Sequence, residues 1–178
     1  MKKIYIILFV FCVFCHQISA QSGPDRSLLK KAEKGDVTSM YNLGCFYNKQ
    51  GKEEYALFWW GKAAEEGFPE AQFNLGIYYI KNNDYDSAFP WLVKSEAQNH
   101  GASAQNWLGV IYAKRHEMET ALSWWLKSAA QYYAPAQFNI GAYYYNTREY
   151  DMSKVWLNRA AQQGHQGAKD LLQKEVFK

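Results

Sequence analysis

Cysteine is scarce in this chain: three in 178 residues, with Cys12 and Cys15 both in the opening segment. If that segment is removed, only Cys45 remains, so no internal disulfide can form and stability has to come from packing. Long apolar runs are lacking as well. The longest spans the twelve residues from Ile4 to Cys15, behind Lys2 and Lys3 and ahead of a polar stretch ending in Ser19-Ala20. A membrane-spanning helix needs about 20 such residues. The run is therefore read as the core of a secretory signal peptide over residues 1–20, cleaved before Gln21, with no membrane span left in the product. Neither early cysteine follows a small residue, since Phe11 and Phe14 precede them, which argues against a lipid anchor. An excess of one charge is missing too. Without residues 1–20 the 20 basic side chains fall by Lys2 and Lys3 to 18, against 17 acidic ones, which leaves no basic footprint for nucleic acid. These features predict an exported bacterial protein, periplasmic or secreted, with residues 21–178 forming one folded unit.

What the sequence has in abundance is itself. Taking the leucine of "NLG" as position zero, Leu43, Leu75, Leu108 and Ile140 align at spacings of 32, 33 and 32 residues. Periods of this length signal a solenoid. One place later stand Gly44, Gly76, Gly109 and Gly141; four places later, Tyr47, Tyr79, Tyr112 and Tyr144. Position +16 is Trp59, Trp91, Trp124 and Trp156, and position +17 is Trp60, Leu92, Trp125 and Leu157. Lys62, Lys94, Lys127 and Arg159 follow at +19. Each unit reads as two helices, A and B, joined by short polar turns. Glycine in mid-helix costs about 1 kcal/mol relative to alanine, so its recurrence in helix A predicts the close approach of a neighbouring helix. The units count as residues 39–70, 71–103, 104–135 and 136–167. "DRSLLKKAEKGD" matches the end of a B helix and "AKDLLQKE" the start of an A helix, so residues 25–38 and 168–178 read as half-unit caps.

The columns A-Q-x-x-L-G-x-x-Y and W-[WL]-x-K-[AS] resemble the Sel1-like repeat, a branch of the tetratricopeptide-like helical-hairpin superfamily. The likeness covers residues 25 to 175. Two features depart from the family pattern: the A–B connectors are short, as in "NTRE", and the disulfide that pins each repeat in secreted members has no counterpart. The resemblance implies an all-α fold, a right-handed α/α superhelical solenoid of about four helical-hairpin repeats with half-repeat caps, used for protein–protein contacts. It implies no particular partner and no cofactor.

Candidates for catalysis are few. Ser27 and Lys30 have the S-x-x-K spacing of penicillin-recognising hydrolases, but the companion S-D-N and K-T-G motifs are missing; Ser27 reads better as a cap or first-turn residue. None of His100, His116 and His165 lies three or four residues from another histidine or a cysteine, so no zinc site is written locally, and His100 and His165, at matching inter-repeat turns, read as solvated turn residues. The pairs Asp84 with Asp86 and Glu53 with Glu54 suit helix starts. Cys45, with no cation nearby in sequence, reads as a small half-buried hydrophobe. No catalytic, metal or cofactor residue is assigned, and the chain is not expected to be an enzyme.

Binding is the remaining expectation. At about 100° per residue, positions −2, +2 and +5 of each A helix lie opposite the core stripe, on the side that lines the concave surface of tetratricopeptide-type solenoids. Tyr41 opens this set in the first unit, followed by Phe73, Ile77 and Ile80 in the second, Asn106 and Val110 in the third, and Phe138 and Tyr145 in the fourth. Lys49, Lys81 and Lys114 stand one place further. An apolar floor with a lysine edge suits a segment of another protein, as in an adaptor, scaffold or immunity-type binder acting as a monomer. A cell-wall glycan is the alternative, because aromatic faces also stack on sugar rings. The competing reading is that neighbouring A helices bury these side chains.

Overall fold

A computed structural model of the chain describes residues 23–98 and 101–174. The expected signal peptide, its cleavage site and His100 lie outside the described residues. Among the described residues there are ten helices and no strand. Four A/B hairpins follow one another: α2 (Val37–Lys49) with α3 (Glu53–Glu65), α4 (Pro69–Lys81) with α5 (Tyr85–Glu96), α6 (Gly101–Lys114) with α7 (Met118–Ala129), and α8 (Ala134–Asn146) with α9 (Tyr150–Gln162). The single helices α1 (Arg26–Glu33) and α10 (Gln166–Leu172) flank them. Each helix packs chiefly on the ones before and after it, and α10 also touches α8. The architecture is an all-α repeat solenoid. The A helices begin two or three residues before the boundaries counted from the repeat period, because Pro69 and Pro135 fit the first turn of a helix, where no backbone donor is needed.

The recurring glycine has a direct cause. A Cβ added to Gly76 would stand 2.7 Å from Leu92 Cγ, and one added to Gly109 would stand 2.5 Å from Trp125 Cδ1. Gly44 meets Trp60 and Gly141 meets Leu157 in the same way. Position +17 of each B helix therefore lies directly on the A-helix backbone of its own hairpin, where alanine would not leave room. Around this seat Leu43, Leu92, Leu108, Ile140 and Leu157 are fully buried, each stabilising the fold by about 1.5–3 kcal/mol through burial.

The tryptophan at +16 and the cation at +19 also pair. Lys94, Lys127 and Arg159 lie over the rings of Trp91, Trp124 and Trp156 at 4.6, 4.2 and 4.6 Å, while Lys62 is shared between Phe58 and Trp59. Three residues is one helical turn, so the cation folds back over the ring. Small residues at +20 carry a further bond where they are serine: Ser95 Oγ donates to the Pro69 carbonyl and Ser128 Oγ to the Ala102 carbonyl.

Both kinds of turn close on a left-handed residue. At +8 it is Gly51, Asn83, His116 or Arg148, and the next amide donates back to the tyrosine carbonyl at +4: Lys52 to Tyr47, Asp84 to Tyr79, Glu117 to Tyr112, Glu149 to Tyr144. This helix-ending motif explains why such short connectors suffice. Ser27 is a first-turn residue: its amide donates to Asp25 Oδ1, and Asp25 caps α1. Glu53 and Glu54 occupy the first turn of α3. Asp84 caps α5, and Asp86 pairs with Arg115 from the α6–α7 turn at 2.6 Å.

Candidate functional site

The A-helix face is only partly the surface that the helical wheel suggested. Two residues leave it altogether. Ile80, 8% exposed, is core, clustered with Leu92, Leu108 and Ile111. Asn106, 5% exposed, accepts at Oδ1 from Asn139 Nδ2 of α8 (2.9 Å), while its carbonyl accepts from Trp125 Nε1 (3.2 Å). A wheel drawn for one helix cannot register that an internal A helix has neighbours on more than one side.

The aromatics at −2 are half-buried by a regular contact. Tyr41 packs on Phe68 with ring centroids 5.0 Å apart, and Phe138 stacks on His165 at 4.5 Å and 21°. Phe68 and His165 occupy the N-caps of α4 and α10, each two helices further along. His165 is thus more than a solvated turn residue, since its Nδ1 also accepts from the Ala168 amide to cap α10. Phe138 also packs against the cluster of Leu157, Ala160 and Ala168, the last of these in α10, and Lys174 lies over the Tyr145 ring at 5.2 Å. The C-terminal half unit therefore covers the fourth repeat's share of the face. Phe73 packs beside the core of the second repeat, and Val110 beside that of the third. Lys114 is exposed at the end of α6.

What the structure brings together lies between α2 and α4. Lys49, Ile77 and Lys81 share a pocket of ≈ 260 Å³ with Cys45, Asn48, Glu53, Trp60, Asn74 and Tyr78. The two lysines end their helices and are exposed, each favourably placed at a negative helix terminus. Glu53 supplies one opposing charge, so the rim is net cationic. Burial, followed by a hydrogen bond with Cys45, pushes the Tyr41 hydroxyl up to about 12. Asn74 and Tyr78 were not among the expected lining residues; the asparagine that recurs at −1 in Asn42, Asn74 and Asn139 was the available signal.

The B helices present another surface. Tyr55, Phe58, Val93, Leu126, Met152 and Val155 are exposed there, as is Tyr132 in the turn after α7. A cleft of ≈ 810 Å³ lies on this side between α7 and α9. Among the described residues no three His, Cys, Asp or Glu side chains are grouped to hold a metal, and no helix is long and apolar enough to cross a membrane.

No family model matches the chain, and no curated protein matches it. Solved structures do. Over 85% of its length the chain resembles c5321, a protective antigen of uropathogenic Escherichia coli strains displaying an SLR fold, with a TM-score of 0.69 and 27% identity. It spans only 36% of that protein. A Sel1 repeat protein from Oxalobacter formigenes matches 82% of the chain and 65% of its own length, with a TM-score of 0.69 and 22% identity. The immunity protein Pa5087 from Pseudomonas aeruginosa matches 79% of the chain and 58% of itself, at 0.53 and 24%. Fold and repeat register together define a helical-hairpin solenoid. Within that class, the glycine seat, the tyrosine column and the likeness to these structures give the chain the Sel1-like repeat fold.

Proposed function

We propose that this protein is an exported, non-catalytic interaction module that holds a segment of a partner protein against the A helices of its first three repeats. The pocket between α2 and α4 supports this reading most directly: Lys49 and Lys81 stand beside Ile77 and two asparagine amides. Its volume suits one anchoring side chain, not a whole ligand. An apolar contact within a net-cationic rim selects a segment that carries hydrophobic and acidic side chains, and the neighbouring half-buried Val110 and exposed Lys114 extend the surface along the solenoid. Complementary charge would chiefly set orientation and association rate. The fold shared with the immunity protein Pa5087 is compatible with a toxin-neutralising role outside the cytoplasm, and an assembly adaptor fits the same surface.

The test is a quantitative pull-down from cell envelope with the wild-type chain and with Ile77→Ser/Lys81→Glu. A partner captured in stoichiometric amount by wild type and lost with the double variant supports the proposal. Equal capture by both proteins sinks the assignment of this face.

A further inference from the structure

The cleft on the B-helix side is bordered by a bulky side chain at a turn position that the repeat holds in the left-handed conformation. Among the described turns that end B helices, the residue at this register is glycine at positions 35, 67 and 164, with φ of 96°, 86° and 89°. In the third repeat it is Tyr132, held at φ 59° and 79% exposed. A bulky side chain in the left-handed region costs free energy that glycine avoids, a cost also borne at His116 and Arg148 in the other kind of turn. Exposure to this degree excludes core packing as the compensation.

Tyr132 borders the ≈ 810 Å³ cleft, whose size lies within the range of about 300–1,000 Å³ typical of small-ligand sites. Across it stands Trp156, with the Arg159 guanidinium over the ring at 4.6 Å. Gln137, 3% exposed, accepts at Oε1 from Gln163 Nε2 at 2.7 Å. That bond fixes the Gln163 amide while leaving it a second N–H and its own carbonyl oxygen. Gln162 adds another amide, and no carboxylate lines the cleft.

We propose that this cleft binds a neutral oligosaccharide, with Tyr132 stacking on a sugar ring and the Gln162 and Gln163 amides pairing with its hydroxyls. A hydroxyl donates and accepts, as an amide does, so both functions of each glutamine are used. A proline-rich peptide fits less well, since it brings carbonyl acceptors and few donors, and the amide oxygens would be left unpaired. An anionic ligand finds a single cation, Arg159, already engaged on Trp156. The inference is independent of the A-helix reading, because the two sites share no residue.

The purified chain is titrated by calorimetry with chitotriose, cellotriose and maltotriose, and with a proline-rich decapeptide. At least one oligosaccharide is expected to bind saturably, with Kd weakened about tenfold or more in Tyr132→Gly. That variant restores the residue used by the sister turns, so its melting temperature should equal or exceed wild type. Gln163→Ala should also weaken binding. The proposal is overturned by any of four results: no saturable binding of the three sugars up to about 10 mM, unchanged affinity in Tyr132→Gly, a lowered melting temperature in that variant, or binding of the peptide alone.

Discussion

Replacing a helix glycine by alanine normally stabilises a protein by about 0.5–1 kcal/mol, through helix propensity and a less flexible unfolded chain. Two such substitutions here should have opposite signs. Gly61 lies within α3 with nothing inside 4 Å of an added Cβ, so Gly61→Ala should gain the ordinary amount. At Gly109 the new methyl would stand 2.5 Å from both Trp125 Cδ1 and Nε1 and 3.0 Å from Cγ. An indole is rigid and cannot give way by rotating a terminal methyl. It must withdraw as a unit, straining its hydrogen bond to the Asn106 carbonyl, which is worth about 1 kcal/mol. Overpacking costs about 1–3 kcal/mol besides. Against a propensity gain of about 1 kcal/mol, Gly109→Ala should destabilise by about 1–3 kcal/mol net. Gly76→Ala faces the branched end of Leu92 at 2.7 Å and should cost less, since that side chain has other rotamers. Urea unfolding followed by far-ultraviolet circular dichroism gives the three midpoints. If Gly109→Ala raises the midpoint as Gly61→Ala does, the glycine column does not exist to seat position +17.

Other outcomes follow from the same contacts. Phe138→Ser should cost about 1–3 kcal/mol, since a half-buried ring loses its stack on His165 and its packing against Leu157, Ala160 and Ala168, and hydrogen exchange should show α10 losing protection first; uniform protection would contradict this. The hydroxyl and amide of Ser39 hold the Asp36 carboxyl below its ordinary 3.8, and Ser87 does the same for Asp84. Their contribution is present above pH 3.8 and is lost as pH falls below it through the lowered folded values, so Asp36→Asn/Asp84→Asn should leave neutral stability nearly unchanged, asparagine being as good a cap, and flatten the acid decline. Tyr41 works in the other direction. With its hydroxyl raised to about 12, the stability it contributes is intact below pH 10 and falls as pH rises from 10 to 12. Tyr41→Phe should make alkaline unfolding shallower over that interval, and an unchanged slope would show that the hydroxyl is not held neutral by the fold.

How much of the molecule was legible in the chain depended on whether a feature repeats. The positions of Leu43 and its counterparts fixed the helical hairpins, because a 32- or 33-residue period with apolar residues at helical spacing has few other ways to bury its stripe. Gly76 announced a close approach by occurring where helix propensity argues against it. Trp91 with Lys94 was visible as two columns without a reason, which the stacking of cation on ring supplies.

The face of each helix was another matter. A sequence assigns a side chain an angle around its own helix, and by that angle Lys49, Ile77 and Lys81 share a side, where they border one pocket. Whether a side chain at that angle meets water depends on elements distant in the chain. Asn106 is buried by Asn139, which lies 33 residues away, and Phe138 by His165 and the C-terminal half unit. The Tyr132 cleft is decided in the same way. Its walls come from α7, the following turn, α9 and Gln137 of α8, and only the spacing between successive hairpins opens the volume between them. Repetition in the sequence determines the repeating unit, because local periodicity and close packing act within one hairpin. The stacking of unlike copies decides which side chains remain accessible, because burial is a property of neighbours that no single helix encodes.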